Sequence, residues 1–258
     1  MNKIISTEKR IFMCVVGPSE CGKTALIFNM LTSNTFYEPF DKIYYCYRHW
    51  QNIYDKFRVS LDNLEFIQII GDNFDIINSI LHQEEEEEDE ETKAFDKTRA
   101  NRKDKYKTLI LFDDVAEEVL KNDDFSNLAT SGRHKNISVI FIKHNLYQQG
   151  KHSVTIDKNT THLILMKNPR AGRQLKILGM ELGNTKFLEE CYRRAVEEQH
   201  YGHLLIDLTP HCIESLRYCS SVTSRPSFFW IPRKNARITL INDEDTNDLY
   251  SRVSNHAL

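Results

Sequence analysis

The stretch "RIFMCVVGPSECGKTALIFNML" (residues 10–31) limits the possible folds more than any other part of the chain. An apolar, strand-like run (10–16) leads into Gly17-Pro18-Ser19-Glu20-Cys21-Gly22-Lys23-Thr24, an ungapped GxxxxGK[ST] pattern, and an apolar helical pattern (22–33) follows. Strand, loop and helix in that order form a phosphate cradle. Gly17 and Gly22 let the backbone curl so that its N–H groups face an anion, and the helix start adds a positive dipole end. Lys23 is placed to reach the β- and γ-phosphates of a nucleotide, and Thr24 to offer a hydroxyl to Mg²⁺. Glu20 and Cys21 are unusual in such a loop, but the loop works through its backbone, so side chains there are tolerated when they point outward. A thiol beside a helix start and a lysine is expected to have a lowered pKa and to be sensitive to alkylation.

A nucleotide-hydrolysing site also needs a carboxylate at the end of a buried strand. "KTLILFDDV" (107–115) supplies Asp113 and Asp114. Asp113 is the expected Mg²⁺ partner. Asp114 stands where many such enzymes orient the attacking water; otherwise it caps the following helix (116–122). Glu117 is the fallback base. A third strand, "ISVIFIK" (137–143), ends in His144-Asn145, either of which can hold the attacking water or sense the γ-phosphate.

Further strand-like runs fall at 42–47, 64–70, 161–166, 203–208 and 227–231, with helical patterns at 73–83 and 184–199. Several strands are nearly continuous apolar runs, the signature of strands covered on both faces. The alternation predicts an α/β sandwich with a mainly parallel sheet. One domain is expected over 1–235, carrying a solvated, mobile charged insertion at 82–106, and a polar tail over 236–258. The net charge of −3 hides the block "EEEEEDEE" (84–91): without its eight acids the rest is −3 + 8 = +5. A mildly basic body is compatible with a nucleic-acid partner. No run approaches the roughly 18 apolar residues of a membrane span, and no secretory signal pattern opens the sequence. Six cysteines without a CxxC pair read as reduced thiols of an intracellular protein.

"GPSECGKT", "ILFDDV", "TSGRHKNISVIFIKHNLYQQG" and "THLILMKNPR" together resemble the genome-packaging ATPases of large DNA viruses, the poxvirus type included. They are equally similar to the ATPases of Polinton/Maverick virus-like elements; both groups belong to the FtsK–HerA superfamily. The resemblance spans about residues 10–210, and the Arg-His-x-Asn-Ile-Ser strand and the Asn-Pro-Arg segment make it specific. It implies a three-layer P-loop NTPase sandwich of the additional-strand (ASCE) class, with "ISVIFIK" inserted between the strands that carry the two nucleotide motifs. It also implies ATP and Mg²⁺ as ligands and a homo-oligomeric ring that threads double-stranded DNA into capsids. Contact with capsid proteins follows, as does a place in the host cell at the site of virus assembly, or association with the virion. Lys23, Thr24, Asp113 and Asp114 carry over to the family's positions. His144 falls where the superfamily often has a polar sensor, frequently glutamine, and the choice between His144 and Asn145 stays open. A ring ATPase also needs a cation supplied across the subunit boundary, for which Arg133, Arg170 and Arg173 are candidates, in that order for the first two.

Two other classes fit a P-loop: a nucleotide or small-molecule kinase, and a nucleotide-dependent interaction module. The first lacks an arginine-rich lid, and the intact Lys23, Thr24 and Asp113 argue against the second. "HYGHLLIDLTPHC" gathers His200, His203, His211 and Cys212, but in no common zinc spacing. Phe228, Phe229 and Trp230 are expected to close the core at the sheet edge.

Overall fold

A computed structural model describes residues 5–7, 10–33, 35–70, 107–131, 136–197, 201–223 and 228–230. Its strands are β1 (Phe12–Val16), β2 (Lys42–Tyr47), β3 (Leu64–Gln68), β4 (Thr108–Asp113), β5 (Ile137–Lys143), β6 (His162–Met166), β7 (His203–Asp207), β8 (Tyr218–Ser220) and β9 (Phe228–Trp230). The helices are α1 (Lys23–Thr32), α2 (Tyr54–Ser60), α3 (Ala116–Val119), α4 (Asp123–Ser131), α5 (Ser153–Asn159), α6 (Gly172–Glu181) and α7 (Thr185–Glu197), with a 3₁₀ turn at Glu214–Leu216.

All nine strands join one sheet in the order β3-β2-β4-β5-β1-β6-β7-β8-β9. The six from β3 to β6 run parallel, and β7, β8 and β9 add an antiparallel edge. β5 pairs with β1 on one side and with β4 on the other, so the 137–143 strand is the inserted one, as expected. The fold is the α/β class read from the sequence.

β1, β4, β5 and β6 are buried at every position. Side chains alternate across the pleat, so Phe12, Cys14 and Val16 enter one apolar layer with α3 to α7, and Met13 and Val15 enter the other with α1 and α2. α1 buries Leu26, Ile27 and Met30 on the second face, each contributing about 2 kcal/mol of transfer free energy. The β9 residues Phe229 and Trp230 are buried, which closes that edge.

The single helix expected over 116–122 is instead α3, a turn and then α4. Asn122 breaks it: its side-chain carbonyl accepts from the Phe125 N–H at 2.8 Å and caps α4. α2, α4, α5, α6 and β8 were not anticipated, while the helix expected at 73–83 lies outside the described residues, as do the 82–106 insertion and the tail. At the end of β5, Lys143 is buried. Its ammonium pairs with Asp157 of α5 and donates to the Leu146 carbonyl at 2.8 Å, while its own carbonyl accepts from the Gly17 N–H at 3.2 Å. The Gly17 N–H bond ties the phosphate-type loop to the inserted strand, and the ion pair fastens the end of that strand to α5. No helix among the described residues is long and apolar enough to cross a membrane.

Candidate nucleotide site

The loop from Gly17 to Thr24 sits at the carboxyl end of β1, with the carboxyl end of β5 beside it and that of β4 one strand further on. Two of its residues have positive φ: Glu20 at 63° and Gly22 at 91°. Glu20 is exposed and points away from the core, which fits a solvent-facing loop position. Gly17 is needed for space, since a Cβ there would stand 2.7 Å from both Cys21 Sγ and Met166 Cβ. Gly22 occupies the N-cap of α1, no side chain caps that end, and no acid lies in the first turn. The helix start is therefore an open anion-binding end.

The Lys23 ammonium is buried and donates to the carbonyls of Gly17 (2.8 Å) and Pro18 (2.7 Å). Burial lowers its pKa, and nearby Cys21, Asp113 and Asp114 partly offset this. The Thr24 hydroxyl donates to Asp113 Oδ2 at 3.0 Å, so the residues expected to hold Mg²⁺ meet across the two motifs. A hydroxyl and a carboxylate side by side are hard oxygen donors suited to that ion.

Asp113 is buried at the end of β4. Its Oδ2 also accepts from the hydroxyls of Tyr45 (2.7 Å) and Tyr54 (3.0 Å). Burial pushes its carboxyl up, and the three hydroxyls counter that; burial and the adjacent carboxylate push both tyrosines up in turn. These tyrosines were missed by sequence reasoning. In "KIYYCY" they read as ordinary strand aromatics, and "YDKFRVS" carries no motif. The pairing of β2 with β4, which sets Tyr45 opposite Leu111, brings Tyr45 to the carboxylate, and Tyr54 reaches it from α2.

Asp114 lies just past the strand at φ 59°, a left-handed conformation that is strained for a non-glycine residue. It does not cap α3: Val115 holds that position, and no side chain bonds there. Its Oδ1 stands 3.7 Å from His144 Nε2, both side chains about half exposed. The structure thus brings His144 to Asp114, while Asn145 is simply exposed on the next position. Glu117 is drawn away by Lys121 at 2.9 Å, which lowers its pKa.

Of the arginine candidates, Arg133 lies outside the described residues. Arg170 and Arg173 are exposed. The Asn168-Pro169-Arg170 segment is pinned: the Tyr192 hydroxyl donates to the Met166 carbonyl at 2.9 Å and accepts from the Asn168 N–H at 2.8 Å.

Cys21 departs from its expected behaviour. Burial pushes its thiol up, and the pull of Lys23 and of the backbone N–H groups is too small to reverse that. Partial enclosure against Gly17 outweighs the helix start. His200 lies outside the described residues. His203 is used inside the fold, with Nδ1–H donating to the Tyr201 carbonyl at 3.2 Å and Nε2 accepting from the Val222 N–H at 3.1 Å. Both ring nitrogens are engaged by backbone, and among the described residues no group of three or more His, Cys, Asp or Glu could hold a metal ion.

The genome packaging NTPase B204 of Sulfolobus turreted icosahedral virus 2, in complex with AMP, aligns over 81% of this chain and 94% of its own, at 13% identity and TM-score 0.50. EccC of Thermomonospora curvata (ATPases 2 and 3) aligns over 88% of this chain and 39% of its own, at 12% identity and TM-score 0.50. At such identities these likenesses concern the fold. No curated protein matches the sequence. The family model of the poxvirus A32 protein matches residues 2–215, a span that contains the loop, the Asp113-Asp114 strand, the inserted strand and the Asn-Pro-Arg segment. The chain belongs to the poxvirus A32 protein family.

Proposed function

We infer that this protein is an ATP-hydrolysing motor that packages double-stranded DNA into viral capsids. One observation carries the reading: in a chain matched to the A32 family over residues 2–215, Thr24 and Asp113 meet at 3.0 Å, directly beside the buried Lys23. Lys23 and the α1 start would hold the phosphates, and Thr24 with Asp113 would hold Mg²⁺. When bound, that ion supplies positive charge to the phosphate oxygens. Asp114, turned out of the strand end and set beside His144, is the group that orients the attacking water and takes up its proton. The arginine supplied by a neighbouring subunit is drawn from Arg133, Arg170 and Arg173; the exposure of the last two suits an intersubunit role. Ring assembly, capsid contact and action at the site of virus assembly in the host cell, or within the virion, belong to the same reading.

The test is ATP turnover with and without duplex DNA at low salt, alongside sizing of the assembly. DNA should stimulate turnover in the wild type independently of its sequence, and the stimulation should fall steeply with salt, because phosphate contacts dominate. Lys23→Ala should abolish turnover, and Asp114→Asn should lower it at least about a hundredfold. Hydrolysis with neither DNA binding nor DNA stimulation would refute the motor, and phosphate transfer to a nucleoside monophosphate would point to a kinase.

A further inference from the structure

Three hydroxyl groups donate to a single atom. Tyr45 at 2.7 Å, Tyr54 at 3.0 Å and Thr24 at 3.0 Å all converge on Asp113 Oδ2, and Oδ1 takes none of these bonds. A carboxylate oxygen has two lone pairs, so the arrangement crowds one side of the group and leaves the other for a different partner. Thr24 belongs to the phosphate-type loop. The tyrosines come from β2 and α2, which carry no nucleotide motif.

Neither tyrosine is free to swing. Tyr45 is fully buried, and its ring packs against Tyr54 (centroids 4.8 Å apart), Phe57 (5.1 Å) and Phe66 (5.3 Å). Tyr54 is also fully buried and packs against Trp50 at 5.4 Å and Phe66 at 5.6 Å. The core would be filled equally well by phenylalanine at both positions. A buried hydroxyl is costly unless it is hydrogen-bonded, and both hydroxyls are used on the same oxygen.

We propose that Tyr45 and Tyr54 are positioning residues that clamp Oδ2 of Asp113, fix the rotation of its carboxylate, and so present Oδ1 together with Thr24 to the divalent cation of a nucleotide complex. This rests on reading Thr24 and Asp113 as the cation-holding pair. Partners of this kind that orient a metal-binding group commonly change metal affinity by about 10- to 100-fold when removed. The aromatic cluster built on β2, β3 and α2 is thereby tied to the cation-holding carboxylate.

The experiment measures Mn²⁺ binding by electron paramagnetic resonance in the presence of a non-hydrolysable ATP analogue, for wild type, Tyr45→Phe, Tyr54→Phe and the double variant. Metal-free analogue affinity and the thermal midpoint are read in parallel. The double variant should bind Mn²⁺ about tenfold more weakly or worse, while metal-free nucleotide binding stays near wild type. The divalent-cation concentration for half-maximal turnover should rise in step. Should Tyr45→Phe fail to fold, Tyr54→Phe alone must still show a several-fold loss. Wild-type Mn²⁺ affinity in folded Phe variants overturns the proposal, as does an equal loss of metal-free nucleotide binding. Asp113→Asn separates the underlying reading: if it binds Mn²⁺ like the wild type, the cation-site assignment fails, whatever the tyrosines do.

Discussion

The ring of Tyr201 lies against Gly22: its Cδ1 is 2.6 Å from where a Cβ on residue 22 would stand. Gly22 also has φ 91°. A side chain there meets two separate obstacles, the ring and the backbone conformation. Gly22→Ala is therefore expected to lower ATP affinity by about 5- to 30-fold, since left-handed strain alone costs about 1–2 kcal/mol. Removing the ring in Gly22→Ala/Tyr201→Ala should recover part of the loss and no more. Equilibrium binding of ATP to the three proteins checks this; full recovery in the double variant would mean that the ring was the only constraint.

Asp114 and His144 face one another at 3.7 Å across the ends of β4 and β5. The inserted strand creates this juxtaposition, because it sets residue 144 beside the hydrolytic strand. Asp114→Asn keeps the shape and removes the carboxylate proposed as the base. Turnover should fall about 10²- to 10⁴-fold, with ATP affinity within about twofold of wild type. His144→Ala should slow turnover by about tenfold or more, and Asn145→Ala far less. Single-turnover hydrolysis with saturating ATP distinguishes them. A larger effect at Asn145 would reverse the assignment.

The parts of this site that were legible in the sequence are those held by backbone and by strand ends. "GPSECGKT" needs its glycines for space at Gly17 and for a positive φ at Gly22, so spacing alone reports it. The run "TLILFD" is buried at every position, so the acids that end it announce themselves. Tyr45 and Tyr54 were not legible, because Tyr45 depends on β2 lying beside β4 and Tyr54 on α2 packing over that pair, relationships that no local pattern records. The helix expected over 116–122 was misread because its apolar spacing masked the cap at Asn122. α5 and α6 were missed because each leaves a wide polar face to solvent, so few apolar positions mark their period. Cys21 was misjudged because proximity to Lys23 is visible in the sequence, whereas enclosure is not.

Two buried imidazoles make folding stability depend on pH. Burial pushes His203 and His162 below the ordinary histidine value. Below about pH 6.5 the unfolded imidazoles take up protons while the folded ones do not. Their contribution is thus complete above that pH and is lost as pH falls toward the lowered folded values. The slope approaches about 1.4 kcal/mol per pH unit for each histidine. His203→Gln keeps a donor and an acceptor for Tyr201 and Val222 but removes the titration. Urea unfolding from pH 7.5 to 5 should show the acid slope reduced by about one proton in that variant. An unchanged slope would show that His203 takes up its proton in the folded state.

Cys21 gives a direct readout of the loop, with an internal control. Four of the six cysteines (Cys14, Cys46, Cys191 and Cys219) are buried, while Cys21 and Cys212 are partly exposed. Burial pushes the Cys21 thiol up, and it pushes Cys212 up to about 12. The thiolate is the reactive species, so both should react with iodoacetamide more slowly at pH 7.5 than a free thiol, and faster as pH rises. The two should part on adding MgATP. Cys21 sits between Glu20 and the α1 start, with its Sγ against Gly17, so nucleotide held by that loop should slow its alkylation several-fold. Cys212 lies beyond β7, near the 3₁₀ turn, and should be indifferent to nucleotide. Peptide mass mapping after timed alkylation resolves the two sites. Protection of both would signal global tightening of the fold, and protection of neither would remove the nucleotide from this loop.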